Sequence, residues 1–308
     1  MIRVTPGAPP ATLVTTASGA QAAPWRLAVD HLALTKPKVA GLVVAVGVVA
    51  AVVADPGIGA ARLLTFALLG YLAAGGAAAV NHVADRHIDA RMTRTRGRPI
   101  PAGRVSVPAA ITVAAVTLAL GLGGSLLLLG PAVASWMTVG ATTYAVVYTF
   151  VLKRRTHHNI VIGGLAGSCG ALGGWALVDP GLGAGAWLLA ALVFLWTPPH
   201  FWGLAIARDG DYRAVGIPML PQVRGLAATC RAMAGYALAS LLASLALAAV
   251  TPLGVGYLAA ASVLGLNFTL LTVRLWRAPS VHLAGWTFRL SGLYLASLLV
   301  AMLLDLLG

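Results

Sequence analysis

Residues 63–106, LLTFALLGYLAAGGAAAVNHVADRHIDARMTRTRGRPIPAGRVS, join an apolar run to a dense ionic one. The run from Leu63 to Val80 approaches the roughly 20 residues that a helix needs to cross a hydrocarbon core. Asn81, Asp85 and Asp89 then recur every four residues, which on a helix places them in one drifting stripe of oxygen donors. Arg91, Arg94, Arg96 and Arg98 follow directly. Carboxylates beside guanidinium groups suit a diphosphate held through Mg²⁺: the ion takes one or two carboxylates plus the substrate's own phosphate oxygens, and Arg offers planar forks that match phosphate. On spacing alone, a solvated loop with internal ion pairs accounts for these residues equally well.

The rest of the chain decides the setting. It has 308 residues, 59% hydrophobic and 9% charged, with a mean hydropathy of +0.88, a composition that belongs to a polytopic helical membrane protein. Apolar runs begin near Val39, Leu63, Val107, Ala132, Asn159, Gly185, Leu226, Pro252 and Trp286, so nine transmembrane helices are expected. The runs are continuous and not alternating, which excludes a transmembrane barrel. Of 21 Lys and Arg, only Arg62 falls in a connection on the far side. By the positive-inside rule the N-terminus is then cytoplasmic and the C-terminus outside. A net charge of +13 would also suit nucleic acid, but the cations are spread over short connections with few aromatics among them, so no nucleic-acid partner is expected.

The eight acidic residues are all Asp. Asp55 and Asp179 stand in expected outer turns and Asp305 at the outer end of the last span, where structural roles suffice. Asp85, Asp89, Asp209 and Asp211 share the cytoplasmic face, in two loops separated by four helices. Residues 1–33 read as a flexible cytoplasmic tail and lead-in, and 34–308 as one transmembrane domain. Cys169 and Cys230 lack the spacing of a metal or disulfide framework. Gly163, Gly167, Gly170 and Gly174 repeat at intervals that let helices approach closely, and packing alone explains them.

Two further polar segments are informative. Residues 196–225, WTPPHFWGLAIARDGDYRAVGIPMLPQVRG, end a span on Pro198 and Pro199, which are expected to break the helix and to leave His200, Phe201 and Trp202 near a pocket. An aromatic belt would explain these aromatics equally. Residues 148–164, YTFVLKRRTHHNIVIGG, carry Lys153, Arg154 and Arg155, which are phosphate partners or merely topological anchors. Lys36 and Lys38, in LTKPKV, read as anchors too.

The segments NHVADRHIDARMTRTRGRPIPAGR, YTFVLKRRTHHNIVIGG and TPPHFWGLAIARDGDYRAVGIPMLP resemble those of the protohaem IX farnesyltransferase (haem O synthase) family, within the intramembrane aromatic prenyltransferase superfamily. The Asn81, Asp85, Asp89 pattern marks the superfamily. RTRGRP, NIVIGG and TPPHFW followed by DYRAVGIPMLP mark the haem branch. The resemblance implies an all-α fold of nine transmembrane helices around a central cavity, capped by cytoplasmic loops, in a bacterial cell membrane. It implies that Asn81, Asp85, Asp89 and Asp211 form the catalytic Mg²⁺ and diphosphate site, with Asp209 less firmly matched. Arg94 and Arg98 would clamp the phosphates, assisted by Lys153 and Arg154. One departure concerns the fifth helix, where the family carries paired prolines and this chain has Gly170 and Ala171.

The activity so implied transfers the farnesyl group of farnesyl diphosphate to a vinyl group of protohaem IX (haem B), giving haem O. Mg²⁺ is the cofactor, and the partners are the two substrates, membrane lipid and a downstream haem-modifying enzyme. An intramembrane prenyltransferase acting on a quinone precursor shares the Asp85 motif but lacks reason to carry TPPHFW and NIVIGG together. A transporter is disfavoured because the acidic residues lie at one face and not at the midplane. Among the seven histidines, each a possible axial donor, His200 leads as haem-binding candidate because it lies in the branch-specific motif.

The charge distribution gives a first test. Topology reporters fused after Gly308 are expected to read outside the cytoplasm, and reporters fused ahead of Leu34 inside it. A cytoplasmic signal at Gly308 would show the span count to be wrong by at least one.

Overall fold

A computed structural model describes residues 24–307, all of whose regular structure is helical. Seven helices are long and apolar enough to cross a membrane: Pro37–Ala54 (α2), Ala60–Arg91 (α3), the run Val107–Leu128, Ala184–Ala207 (α9), Leu220–Ala248 (α11), Val255–Arg277 (α12) and Val281–Leu307 (α13). The chain is an integral membrane protein. Val107–Leu128 comprises α4 (Val107–Leu118), a π-helical turn at Ala119–Gly123 and α5 (Gly124–Leu128). The expected fourth and fifth spans are composite. The fourth is α6 (Pro131–Thr142) running into a π-helix at Thr143–Leu152, and the fifth is α7 (Asn159–Gly163) joined to α8 (Leu165–Trp175).

Four sequence expectations meet a different structure. The Asn81–Asp89 stretch is not a loop: α3 runs on through 32 residues to Arg91, because its polar side chains find partners within the protein. Pro198 and Pro199 do not end α9, which continues to Ala207. A proline's fixed φ suits a helix, and neighbouring groups in a bundle make good the missing donors. Part of the expected flexible lead-in is helical, as α1 (Pro24–Leu34). Its Trp25, Val29 and Leu32 form one exposed apolar stripe, and Asp30 accepts two 3.0 Å hydrogen bonds from the Arg104 Nε. The expected tail ahead of Pro24 lies outside the described residues. Finally, glycines of the fifth segment do more than pack, as the site shows.

The bundle closes through small residues. α9 is the most enclosed of the long helices and packs against α8, α11 and α13. α2 and α8 cross so closely that a Cβ on Gly174 would overlap the Gly47 backbone, and one on Gly170 would meet the Val43 carbonyl oxygen at 2.9 Å. At the end of the bundle opposite Asp85, Asp55 accepts from the Gly57 N–H, Asp179 from the Gly181 and Gly183 N–H groups, and Asp305 from the Tyr257 and Gly254 N–H groups. These three acids are structural, as their sequence positions indicated.

The α2–α8 crossing gives the second test. Gly174→Ala forces a backbone shift expected to cost about 1–3 kcal/mol. Thermal unfolding of the detergent-purified chain should show a lowered Tm. Gly235→Ala, whose added Cβ meets nothing within 4 Å, should leave it unchanged or raise it.

Candidate active site

The last turns of α3 bring Asn81, Asp85 and Asp89 into the protein interior, at 2%, 0% and 2% exposure. Two carboxylates so placed must be paired, and each is. Lys153 donates to Asp85 Oδ2, while Arg154 Nη2 stands 3.7 Å from Oδ1. Arg98 Nη1 donates to Asp89 Oδ2 at 2.7 Å. Asn81 ties the row together, donating from Nδ2 to Asp85 (2.8 Å) and to Thr149 Oγ (2.9 Å) and accepting from Lys36 Nζ at 2.5 Å. Asp85 Oδ1 has no hydrogen-bond partner.

Lys36 is the residue that sequence reasoning missed. It sits between two helices with a positive φ of 48°, a conformation unusual for a non-glycine residue. That turn directs its ammonium inward to Asn81 and to the Tyr144 hydroxyl (2.9 Å). Tyr144 and Thr149 were equally hidden, because they lie on the π-helix of the fourth segment. Its wider turn lets Thr149 bond the Tyr144 carbonyl five residues back and stacks Tyr144 on Tyr148, with centroids 5.8 Å apart.

Beneath this polar group lies a cavity of about 480 Å³. Lys36, Asn81, Asp89, Arg94, Arg98 and Lys153 stand on its wall at the end where α3 terminates, and aliphatic, aromatic and glycine residues line the remainder, among them Gly163, Gly167, Gly170 and Gly173. Asp85 supports this wall from behind. The cationic side chains outnumber the carboxylates, so the mouth suits a polyanion joined to an apolar body.

The second acidic loop is placed differently. Asp211, in α10 (Asp209–Ala214), accepts from the backbone N–H groups of Thr93 (2.9 Å) and Arg94 (3.3 Å) and does not stand on the cavity wall. Partial burial raises its carboxyl pKa, but the two N–H groups outweigh this and hold it below the usual range. Asp209 pairs with Arg213 at 2.6 Å and accepts from Gln222; the guanidinium lowers its pKa. Tyr212, between them, is buried and reaches the cavity. Arg154 is half exposed, with its Nη2 on the Ala84 carbonyl.

Of the seven histidines, all within the described residues, His200 alone lines the cavity. Its ring stacks on Trp196 with centroids 4.5 Å apart and lies 4.6 Å from that of Phe288. Nδ1 is 2.8 Å from Ser291 Oγ, and that hydroxyl donates its proton to the Phe288 carbonyl at 2.8 Å. With Nδ1 as the donor in its bond to Ser291, Nε2 is left unprotonated.

The matching family model is that of the UbiA prenyltransferases, which covers residues 42–303. The chain belongs to the UbiA prenyltransferase family. Among curated relatives, "Protoheme IX farnesyltransferase" of Thermus thermophilus is 45% identical over 295 residues, covering 93% of this chain. The chain spans only 47% of that relative's length. The protein of the same name from Stutzerimonas stutzeri is 45% identical, with 93% of this chain and 95% of the relative covered; that from Legionella pneumophila strain Corby is 43% identical, at 91% and 95%. The fold is that of solved family members. A digeranylgeranylglyceryl phosphate synthase has a TM-score of 0.75 at 16% identity, covering 91% of this chain and 99% of its own. A homologue from Archaeoglobus fulgidus bound to GPP and Mg²⁺ scores 0.68 at 13% identity, with 89% and 99% covered.

Lys36 supplies the third test. Lys36→Met keeps the length of the side chain and removes its charge. It is expected to weaken prenyl diphosphate binding about tenfold or more, measured by competition against labelled ligand, while Lys38→Met changes it little.

Proposed function

We propose that the chain transfers the farnesyl group of farnesyl diphosphate to a vinyl carbon of protohaem IX, with water supplying the hydroxyl of haem O. The observation that carries this reading is a cation-rich mouth over an apolar cavity whose wall includes one histidine, His200. Relatives named for the same reaction, at 43–45% identity, support it.

The donor set fits Mg²⁺. Asn81 and Asp89 on the wall and Asp85 just behind it offer hard oxygens in one row, and Asp85 Oδ1 is a buried acceptor without a hydrogen-bond partner, 3.7 Å from the Arg154 Nη2. Bound there, the ion would offset charge on the departing diphosphate. Asp211 does not border the cavity, and its bonds to the Thr93 and Arg94 N–H groups favour a role in holding the Arg94 turn.

The protein's own groups account for the rest. Arg94, Arg98, Lys153 and Lys36 converge where the C–O bond to the diphosphate breaks, and they stabilise negative charge as it grows on the leaving oxygens. The developing allylic cation lies over the stacked Tyr144 and Tyr148 faces, within reach of their π density. Apolar walls keep water from it until the vinyl carbon attacks. Water then adds to the resulting porphyrin-side cation and a proton is lost, which balances the reaction as haem B, farnesyl diphosphate and water going to haem O, diphosphate and a proton. His200 Nε2, fixed by Ser291, would ligate the haem iron or face its edge. The cationic mouth opens on the side taken as cytoplasmic, where a soluble diphosphate is released.

Asp85→Ala and Asp89→Ala are each expected to lower turnover at least about 100-fold while the chain still inserts into membranes. Haem extracted from expressing cells and weighed by mass spectrometry reads the product directly. Normal haem O formation by either variant would sink the assignment. Haem added to the purified wild type should give a shifted Soret band that His200→Ala alters, with farnesyl diphosphate binding retained. Prenylation of a quinone precursor with haem untouched would put the alternative acceptor in its place.

A further inference from the structure

The cavity has a floor. On α3 the residues facing it are Phe66, Gly70, Ala73, Ala74, Ala77, Ala78 and Asn81, a helical stripe that is small at every position between its two ends. Phe66, at 3% exposure, is its one bulky member. Its ring edge lies over Gly47 of α2, 2.6 Å from where a Cβ there would stand. A Cβ on Gly173 of α8 would lie 3.9 Å from the same ring and 3.5 Å from the Trp136 Cβ of α6. Four segments thus converge on Phe66 and close the end of the cavity opposite the cations. Behind the ring lies a further apolar cluster that includes Ala51, Val133, Ala176 and Leu177.

The depth can be compared with a ligand. Phe66 precedes Asn81 by fifteen residues of one helix, about 22 Å at 1.5 Å per residue. An extended farnesyl chain has about 12 main-chain carbons at roughly 1.25 Å per bond, and with about 6 Å for a diphosphate it measures about 20 Å. A geranyl chain stops about 5 Å short of the floor, and a geranylgeranyl chain overruns it by about as much.

We propose that Phe66, backed by Trp136 and Gly173, sets the length of prenyl chain this protein accepts, holding it to three isoprene units. The inference rests on the placing of the diphosphate at Asn81, Asp85 and the cations, and it is independent of the acceptor. Phe66→Ala opens the floor toward the apolar cluster. Gly70 stands one turn nearer the cations, where an added Cβ meets only Met137 and Val44 at 3.5 Å. Gly70→Leu therefore fits the wall and raises the floor by about 6 Å, roughly one isoprene unit.

The test is competition of geranyl, farnesyl and geranylgeranyl diphosphates against labelled farnesyl diphosphate, on the full chain in detergent with Mg²⁺ and no acceptor. The wild type is expected to favour the farnesyl ligand. Phe66→Ala should raise the geranylgeranyl-to-farnesyl affinity ratio at least about tenfold, and Gly70→Leu the geranyl-to-farnesyl ratio as much, since each step concerns five apolar carbons. Should Phe66→Ala fail to fold, the Gly70→Leu arm decides alone. Ratios within about twofold of wild type in every folded variant would overturn the ruler, as would an Asp85→Ala chain that binds all three ligands normally. Ratios that shift as expected in a protein that leaves haem unprenylated would uphold the ruler and overturn the haem acceptor.

Discussion

Two carboxylates on one helix, carried into an interior that cannot solvate them, set the terms for the polar half of this molecule. An unpaired buried carboxylate costs several kcal/mol, so Asp85 and Asp89 require cations, and the cations come from elsewhere in the chain: Lys153 from the end of the fourth segment and Arg98 from the connection after α3. Asn81 adds Lys36 from the start of α2. Three connections distant in sequence are thereby drawn over one cavity mouth. Such ion pairs are poor sources of stability against an apolar alternative, so their presence speaks for chemistry. The same cations that neutralise the carboxylates in the ligand-free protein are placed to take a diphosphate.

The apolar half is governed by the opposite requirement, space. Within a membrane no hydrophobic drive separates helix from lipid, and close packing comes from small residues. In α8 the glycines divide this work by helical face. Gly174 admits the α2 backbone and Gly170 does so while also bordering the cavity, whereas Gly167 and Gly173, with Gly163 of α7, leave room along the cavity. α3 does the same with its alanines. Where the cavity ends, a single phenylalanine replaces the run of small side chains.

Much of this was legible in the sequence because charge is scarce there. With only eight acidic residues in the chain, the four-residue spacing of Asn81, Asp85 and Asp89 stood out, and the arginines after it pointed to phosphate. Apolar run length gave the all-helical class. Lys36 escaped because a lysine at the end of a span usually anchors, and only the left-handed turn before Pro37 sends it inward. Tyr144 and Thr149 escaped because helical periodicity assumes 3.6 residues per turn, and the π-helix around them departs from it. The expected break at Pro198 failed for a related reason: proline rules describe an isolated helix, while α9 is supported on most of its surface.

Asp211 shows where motif matching and geometry part. By pattern it mirrors the first acidic cluster, yet its two oxygens are already engaged by the Thr93 and Arg94 N–H groups. Those bonds fix the turn from which the Arg94 side chain enters the cavity. Arg91 reinforces the connection through the Ala214 carbonyl at 2.5 Å, so the two polar connections are fastened to each other before any ligand binds. The second loop thus contributes to a phosphate site through the backbone of the first. An acid at that position gives the exposed Thr93 and Arg94 N–H groups a fixed acceptor in place of water, which holds the turn that carries the arginine.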